Sequence, residues 1–224
     1  MSTEEQMTFD QEPEPSSFRL IATLGVAGFL SGLVLVSSYL WTKPTIDANK
    51  AEEQRQAIFR VLPGTADFET FTLQDGQLQT ATGPAEDRVF LGRDANAGFT
   101  GFAITGEEPG FSDIVTVIVG YHPADQAIIG YQVLDCKETP GLGDKIIRNE
   151  GFLANFSHLV VDPEIVLVKN GTKKQPNEVD GITGATISSR TVVNLLNKAM
   201  TKWKGPIDAY LQAHPELEKT TGHE

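Results

Sequence analysis

Residues 113–136 read DIVTVIVGYHPADQAIIGYQVLDC, and this stretch decides the fold class. Val, Ile and Tyr crowd its two flanks, residue types whose branched or aromatic side chains suit a pleated, half-buried surface. Between the flanks stands His122-Pro123-Ala124-Asp125, so the two halves are expected to pair as an antiparallel hairpin. Toward the N-terminus, GFTGFAIT (98–105) and RVFLG (88–92) read as short strands, with a loop over residues 106–110. FETFTLQDGQLQTA (68–81) alternates apolar and polar residues around Asp75-Gly76, the pair expected at a tight hairpin turn. Toward the C-terminus, GFLANFSHL (151–159) predicts a short helix, EIVLVK (164–169) a strand and NGTKKQPNEVD (170–180) a turn-rich connection. From Ser188 onward, Val192, Val193, Leu196, Ala199, Met200 and Trp203 recur at three- and four-residue spacing. That periodicity predicts an amphipathic helix, which Gly205-Pro206 should end. Strands in adjacent hairpins with helices at the two ends indicate an α+β fold rather than a doubly wound sheet. The absence of G-x-G-x-x-G after a strand also argues against a Rossmann dinucleotide site.

Composition narrows the function. The chain has 224 residues, 40% of them apolar, enough for one or at most two domains. With 18 basic and 30 acidic residues, its net charge is −12, which argues against nucleic acid as a partner. The single cysteine, Cys136, forms no internal disulfide, and four histidines provide no Cys/His set with metal-ligand spacing. Cys136 ends a hydrophobic strand and reads as a small core residue.

Residues 20–41, LIATLGVAGFLSGLVLVSSYLW, contain no charge. At helical rise they span roughly 33 Å, a match to the hydrocarbon core of a bilayer. Gly25, Gly28, Ser31 and Gly32 allow close approach of another helix, and Tyr39 and Trp41 sit where an aromatic belt would. The span has no basic start or small-residue exit, so it reads as an uncleaved transmembrane helix rather than a signal peptide. Before it, residues 1–19 hold five acids and two prolines, the composition of a disordered tail. After it, AEEQRQAIFRVL (51–62), led in by Thr45 and Asp47, predicts a helix stopped by Pro63-Gly64. One domain is expected over residues 42–205 and a C-terminal tail over 206–224. Arg19 precedes the span while Lys43, Lys50, Arg55 and Arg60 follow it, a count that by itself puts the C-terminal part in the cytoplasm.

Two loops carry more than a fold requires. In Asp180-Gly181-Ile182-Thr183-Gly184-Ala185-Thr186-Ile187-Ser188-Ser189, four hydroxyls and two glycines crowd the start of the last helix. Glycines let backbone approach a ligand, and a helix N-terminus favours an anion such as phosphate. An ordinary N-cap needs only one such hydroxyl. The second loop, Glu138-Thr139-Pro140-Gly141-Leu142-Gly143-Asp144-Lys145, joins a Pro-Gly turn and bare amides to one acid and one base, which suits a flat polar ligand.

Together the two stretches resemble the FMN-binding domain found in the G subunit of the Rnf electron-transport complex and in the related C subunit of the sodium-pumping NADH:quinone reductase. The family signature is an Asp followed by [Ser/Thr]-Gly-Ala-Thr-x-[Ser/Thr]; Asp180, Thr183, Gly184, Ala185, Thr186 and Ser188 occupy its positions, with Ser189 beside them. The Glu138 to Gly143 segment is the second mark. The resemblance implies FMN joined to Thr186 by a phosphoester bond, installed by a flavin transferase that uses FAD. Its ring would lie against Glu138, Thr139, Pro140, Gly141, Leu142 and Gly143. It further implies an electron-relay subunit that is not catalytic alone, partnered by the membrane and peripheral subunits of the complex. Those subunits pass electrons between ferredoxin and NAD⁺ while moving Na⁺ or H⁺. The expected location is the bacterial inner membrane, single-pass, with the FMN domain periplasmic, against the Lys/Arg count. The alternatives are the equivalent FMN subunit of the quinone reductase, an anchored structural subunit without flavin, and a noncovalent FMN enzyme.

Overall fold

Alternation along the strands sets two faces of one sheet. The computed structural model describes residues 16–81 and 88–219. Its strands β1 (Asp67–Gln74), β2 (Gln77–Thr80), β3 (Arg88–Arg93), β4 (Phe99–Pro109), β5 (Ile114–His122), β6 (Ala127–Cys136) and β7 (Leu159–Val160) lie in the order β2-β1-β3-β4-β5-β6-β7. Every neighbouring pair is antiparallel. Val89 and Leu91 of β3, Phe102 and Ile104 of β4, and Val117, Val119 and Tyr121 of β5 belong to the large core. The intervening Phe90, Ala103 and Ile118 join a second, smaller cluster. A period of two puts alternate side chains on opposite faces, so both faces of the central strands are covered.

The large core is closed by α4 (Thr186–Ala213), whose Val192, Leu195, Leu196, Ala199, Met200 and Trp203 are buried. The smaller cluster is closed by the end of α1 (Ser17–Val61) through Ala57, Ile58 and Val61, and by Leu62 just after it. That helix end comes close to bare backbone. Gly120 and Gly130 face each other across β5 and β6, and a Cβ on either would lie 1.9 or 2.4 Å from the Val61 carbonyl oxygen. The hairpin expected over 113–136 forms as β5 and β6, and Asp75 and Gly76 both take positive φ in the β1–β2 turn, as such turns require. α2 (Lys145–Arg148), α3 (Glu150–Leu153) and a 3₁₀ turn (Ala154–Ser157) follow β6. α5 (Glu216–Lys219) follows α4.

The chain divides into two compact units, residues 1–50 and 51–224. In the first, α1 is long and apolar enough to cross a membrane, and its apolar residues are exposed. Of the acidic tail expected over 1–19, residues 1–15 lie outside those described, and 17–19 are helix.

Four expectations need correction. No new helix starts near Thr45, because α1 runs on through Pro44; the proline forfeits one backbone bond in an otherwise unbroken helical sequence. Residues 106–109 are not loop but the end of β4, paired with Thr116, Val115 and Ile114 of β5 through Glu107, Glu108 and Pro109. Within the segment 170–180, β9 (Glu178–Asp180) pairs in parallel with β8 (Val166–Val168). The C-terminal tail expected from residue 206 begins as helix: α4 passes Gly205-Pro206 and buries Ile207 and Leu211. Burial of those two side chains outweighs the single bond that Pro206 cannot donate.

Candidate functional site

Glu138 is the carboxylate around which the two loops assemble. It is only 5% exposed, which demands hydrogen-bond partners. Its Oε1 accepts from the Phe111 and Ser112 amides at 2.8 and 3.0 Å, and its Oε2 accepts from Ser188 Oγ at 3.2 Å. The side chain thus ties the turn after β4, the loop after β6 and the first turn of α4 together. Gly143 makes the approach possible, since a Cβ there would lie 2.4 Å from Glu138 Oε2 and 2.8 Å from Ser188 Oγ. Within the loop, Thr139 O accepts from the Leu142 and Gly143 amides, and the Gly141 amide donates to Asp144 Oδ1.

Two of the four hydroxyls expected at the start of α4 are buried and engaged. Ser189 Oγ donates to Ala185 O and accepts from the Ile182 amide, while Ser188 is bound to Glu138. Thr183 is exposed and accepts from Asn170 Nδ2 at 3.5 Å. Thr186 alone of the four is exposed with no hydrogen bond from its hydroxyl to the described residues. The N-cap position is Ala185, without a side-chain cap, so no hydroxyl performs the ordinary capping role. A helix of 28 residues therefore begins with open N–H groups at its positive end.

A cleft of about 340 Å³ lies between these elements, lined by Phe111, Glu138, Thr139, Leu142, Gly143, Gly184, Ala185, Thr186, Ile187 and Ser188. The structure thus joins both sequence loops in one site. Pro140, Gly141, Thr183, Ser189 and Asp180 are not among its lining residues. Asp180 Oδ1 instead accepts from the Thr172 and Lys173 amides, the turn-holding use of an Asp side chain. Cys136 is half-buried against the large core, with its thiol pushed up by burial. A larger cavity of about 640 Å³, lined by residues that include Arg88, Thr105, Lys198, Lys202 and Trp203, is reached by neither loop, so the smaller cleft is the candidate site.

Sequence reasoning missed Phe111 and Ile187, which stand 67% and 50% exposed at the cleft beside Leu142 at 52%. No periodicity marks a lone Phe between Gly110 and Ser112, because its place at the cleft depends on contacts far away in sequence. The apolar rim and the uncapped helix start are complementary in kind, one suited to a flat ring and the other to an anion.

Both loops lie within residues 110–201 of this small α+β domain, and that segment matches the FMN-binding domain family. Similarity extends well beyond that segment. The G subunit of the ion-translocating oxidoreductase complex of Methanosarcina acetivorans is 31% identical over 182 residues, 81% of this chain and 92% of that protein. The corresponding G subunit of Haemophilus influenzae is 31% identical, covering 76% of this chain and 82% of its own length. The G subunit of the Na⁺-translocating ferredoxin:NAD⁺ oxidoreductase complex of Acetobacterium woodii is 29% identical, covering 89% and 96%. The chain belongs to the family of G subunits of ion-translocating oxidoreductase complexes. Its fold is shared with the crystal structure of NqrC from Shewanella oneidensis, with a TM-score of 0.61 at 16% identity, covering 72% of this chain and 99% of that one. It is shared also with the C subunit of the Na⁺-translocating NADH-quinone reductase from Parabacteroides distasonis, with a TM-score of 0.55 at 18% identity, covering 70% and 94%.

Proposed function

We propose that this chain is a membrane-anchored electron-transfer subunit that carries FMN on Thr186 through a phosphoester bond. The observation that carries the reading is the exposed Thr186 hydroxyl at the uncapped start of α4, beside a cleft with an apolar rim. The residues fit the group. Open N–H groups suit the phosphate, and Phe111, Leu142 and Ile187 offer apolar surface for the ring. Bound there, FMN would supply reversible acceptance and donation of electrons.

The chain's own residues hold and orient. Glu138, with both oxygens committed to protein donors, fixes the spacing between the two walls. Gly143 and Gly184 keep side chains out of the cleft. Apart from Glu138, no carboxylate or imidazole among the described residues lines it, so the site has no free base to activate a threonine hydroxyl. That lack supports maturation by a separate flavin transferase. In that reaction Thr186 Oγ would be the acceptor of the FMN phosphate from FAD, giving up its proton to the transferase, with AMP as the leaving group.

The family and the helix of residues 20–41 support partnership with membrane and peripheral subunits of an Rnf-type complex moving electrons between ferredoxin and NAD⁺. They also support a single-pass protein of the bacterial inner membrane, with its flavin domain on the periplasmic face. Co-expression of the full chain with a transferase, followed by intact mass and peptide mapping, tests the attachment. The expected result is an increment equal to FMN minus water on the Thr186 peptide, absent in Thr186→Ala. Fluorescent flavin retained by that variant on a denaturing gel would refute it.

A further inference from the structure

One charged group beside the cleft, though not among its lining residues, is explained by neither loop's fold. Lys145 opens α2, and its ammonium comes near the backbone that leads into α4: a Cβ on Gly184 would lie 3.9 Å from Lys145 Nζ. The side chain is half-buried and forms no ion pair among the described residues. In a chain with 30 acids and 18 bases, a cation has many carboxylates to choose from. The nearest acids in its own loop are already committed. Asp144 takes the Gly141 amide and the Arg148 guanidinium, and Glu138 takes three other donors.

Gly184 stands two residues before Thr186 and takes a φ of +83°, so there is no side chain between the ammonium and the backbone that leads into α4. An ammonium and open helix N–H groups are donors only. Both therefore lack an acceptor, and the described residues supply none. Resting on the Thr186 attachment, we infer that Lys145 is the countercharge of the phosphodiester: it binds the single negative charge that remains after FMN is joined to Thr186. It fixes the phosphate against the start of α4 and so limits how far the ring swings from the Phe111, Leu142 and Ile187 rim. The same contact draws the phosphoryl donor toward Thr186 during maturation.

The test uses full-length chain in detergent with the transferase and FAD, comparing wild type, Lys145→Gln, Lys145→Arg and Thr186→Ala. Lys145→Gln is expected to acquire flavin at Thr186 at an initial rate lowered about fivefold, the size of one partly exposed charge contact. Its ester ³¹P resonance should move from the wild-type position. Visible circular dichroism of the flavin should weaken as NaCl rises toward about 1 M in wild type and be weak and salt-independent in Lys145→Gln. Lys145→Arg should restore rate and dichroism, since charge is what matters. Wild-type loading, resonance and salt response in Lys145→Gln would overturn the inference, as would failure of Lys145→Arg to rescue. Covalent flavin surviving in Thr186→Ala would instead remove the attachment on which the inference rests, through a separate mass measurement.

Discussion

Glu138→Ala should separate the two walls of the cleft and cost measurable stability. The substitution removes three hydrogen bonds from a side chain that is only 5% exposed. Ser188 is 2% exposed, so its hydroxyl would stay buried without its acceptor, at about 2 kcal/mol. The Phe111 and Ser112 amides lie on an exposed turn and regain water, so each costs only about 0.5 kcal/mol. The total is about 3 kcal/mol, which for a domain of this size lowers the melting temperature by about 6–12 °C. Glu138→Gln keeps one oxygen for the two amides and presents an N–H to Ser188 Oγ, which limits its loss to about 1 kcal/mol. Thermal melts of the full chain in detergent, followed by near-ultraviolet circular dichroism, give both values. A Glu138→Ala melt within about 2 °C of wild type, or equal losses in the two variants, would refute the view that this carboxylate holds the walls together.

Two further outcomes are expected from the same melts. Gly120→Ala should lose roughly 3 kcal/mol or more, because its Cβ meets the Val61 carbonyl at 1.9 Å and backbone must move. Gly205→Ala, inside α4 with nothing within 4 Å, should instead gain about 0.5–1 kcal/mol. Tyr121 has a buried hydroxyl without a partner among the described residues, and burial, with Asp208 and Asp162 nearby, pushes its ionisation up to about 12. Its folded value lies above its unfolded one, so its contribution is full below pH 10 and is lost as pH rises through about 12. Tyr121→Phe should therefore gain about 1 kcal/mol at neutral pH and show a smaller alkaline loss, measured in melts across that range.

Legibility in the sequence followed the range of the interactions involved. The β5–β6 hairpin, the Asp75-Gly76 turn and the apolar stripe of α4 depend on neighbours a few residues away, and local pattern was enough to place them. Pro206 misled because the local rule ends a helix at Gly-Pro, whereas burial of Ile207 and Leu211 is decided by a distant sheet. The parallel pairing of β8 with β9 was hidden for a similar reason, since three-residue strands carry little alternation. At the cleft, the two motif loops could be singled out from sequence but the division of labour among their hydroxyls could not. Only the folded chain shows Ser188 and Ser189 turned inward while Thr186 faces solvent, or Glu138 bonded to the protein rather than offered to a ligand. Phe111 carried no signal at all beyond being a lone aromatic residue between strands.

The contact between Val61 and the glycine pair at 120 and 130 also governs where the polypeptide can be severed to obtain a water-soluble fragment. A cut at about residue 63 would remove the long apolar helix together with Ala57, Ile58, Val61 and Leu62, stripping cover from Phe90, Ala103 and Ile118 and leaving a greasy sheet face prone to self-association. Starting the fragment at Ala51, the first residue of the second unit, discards the exposed apolar run yet retains the plug. The excision point is thus set by the underside of the sheet and not by the end of the hydrophobic stretch.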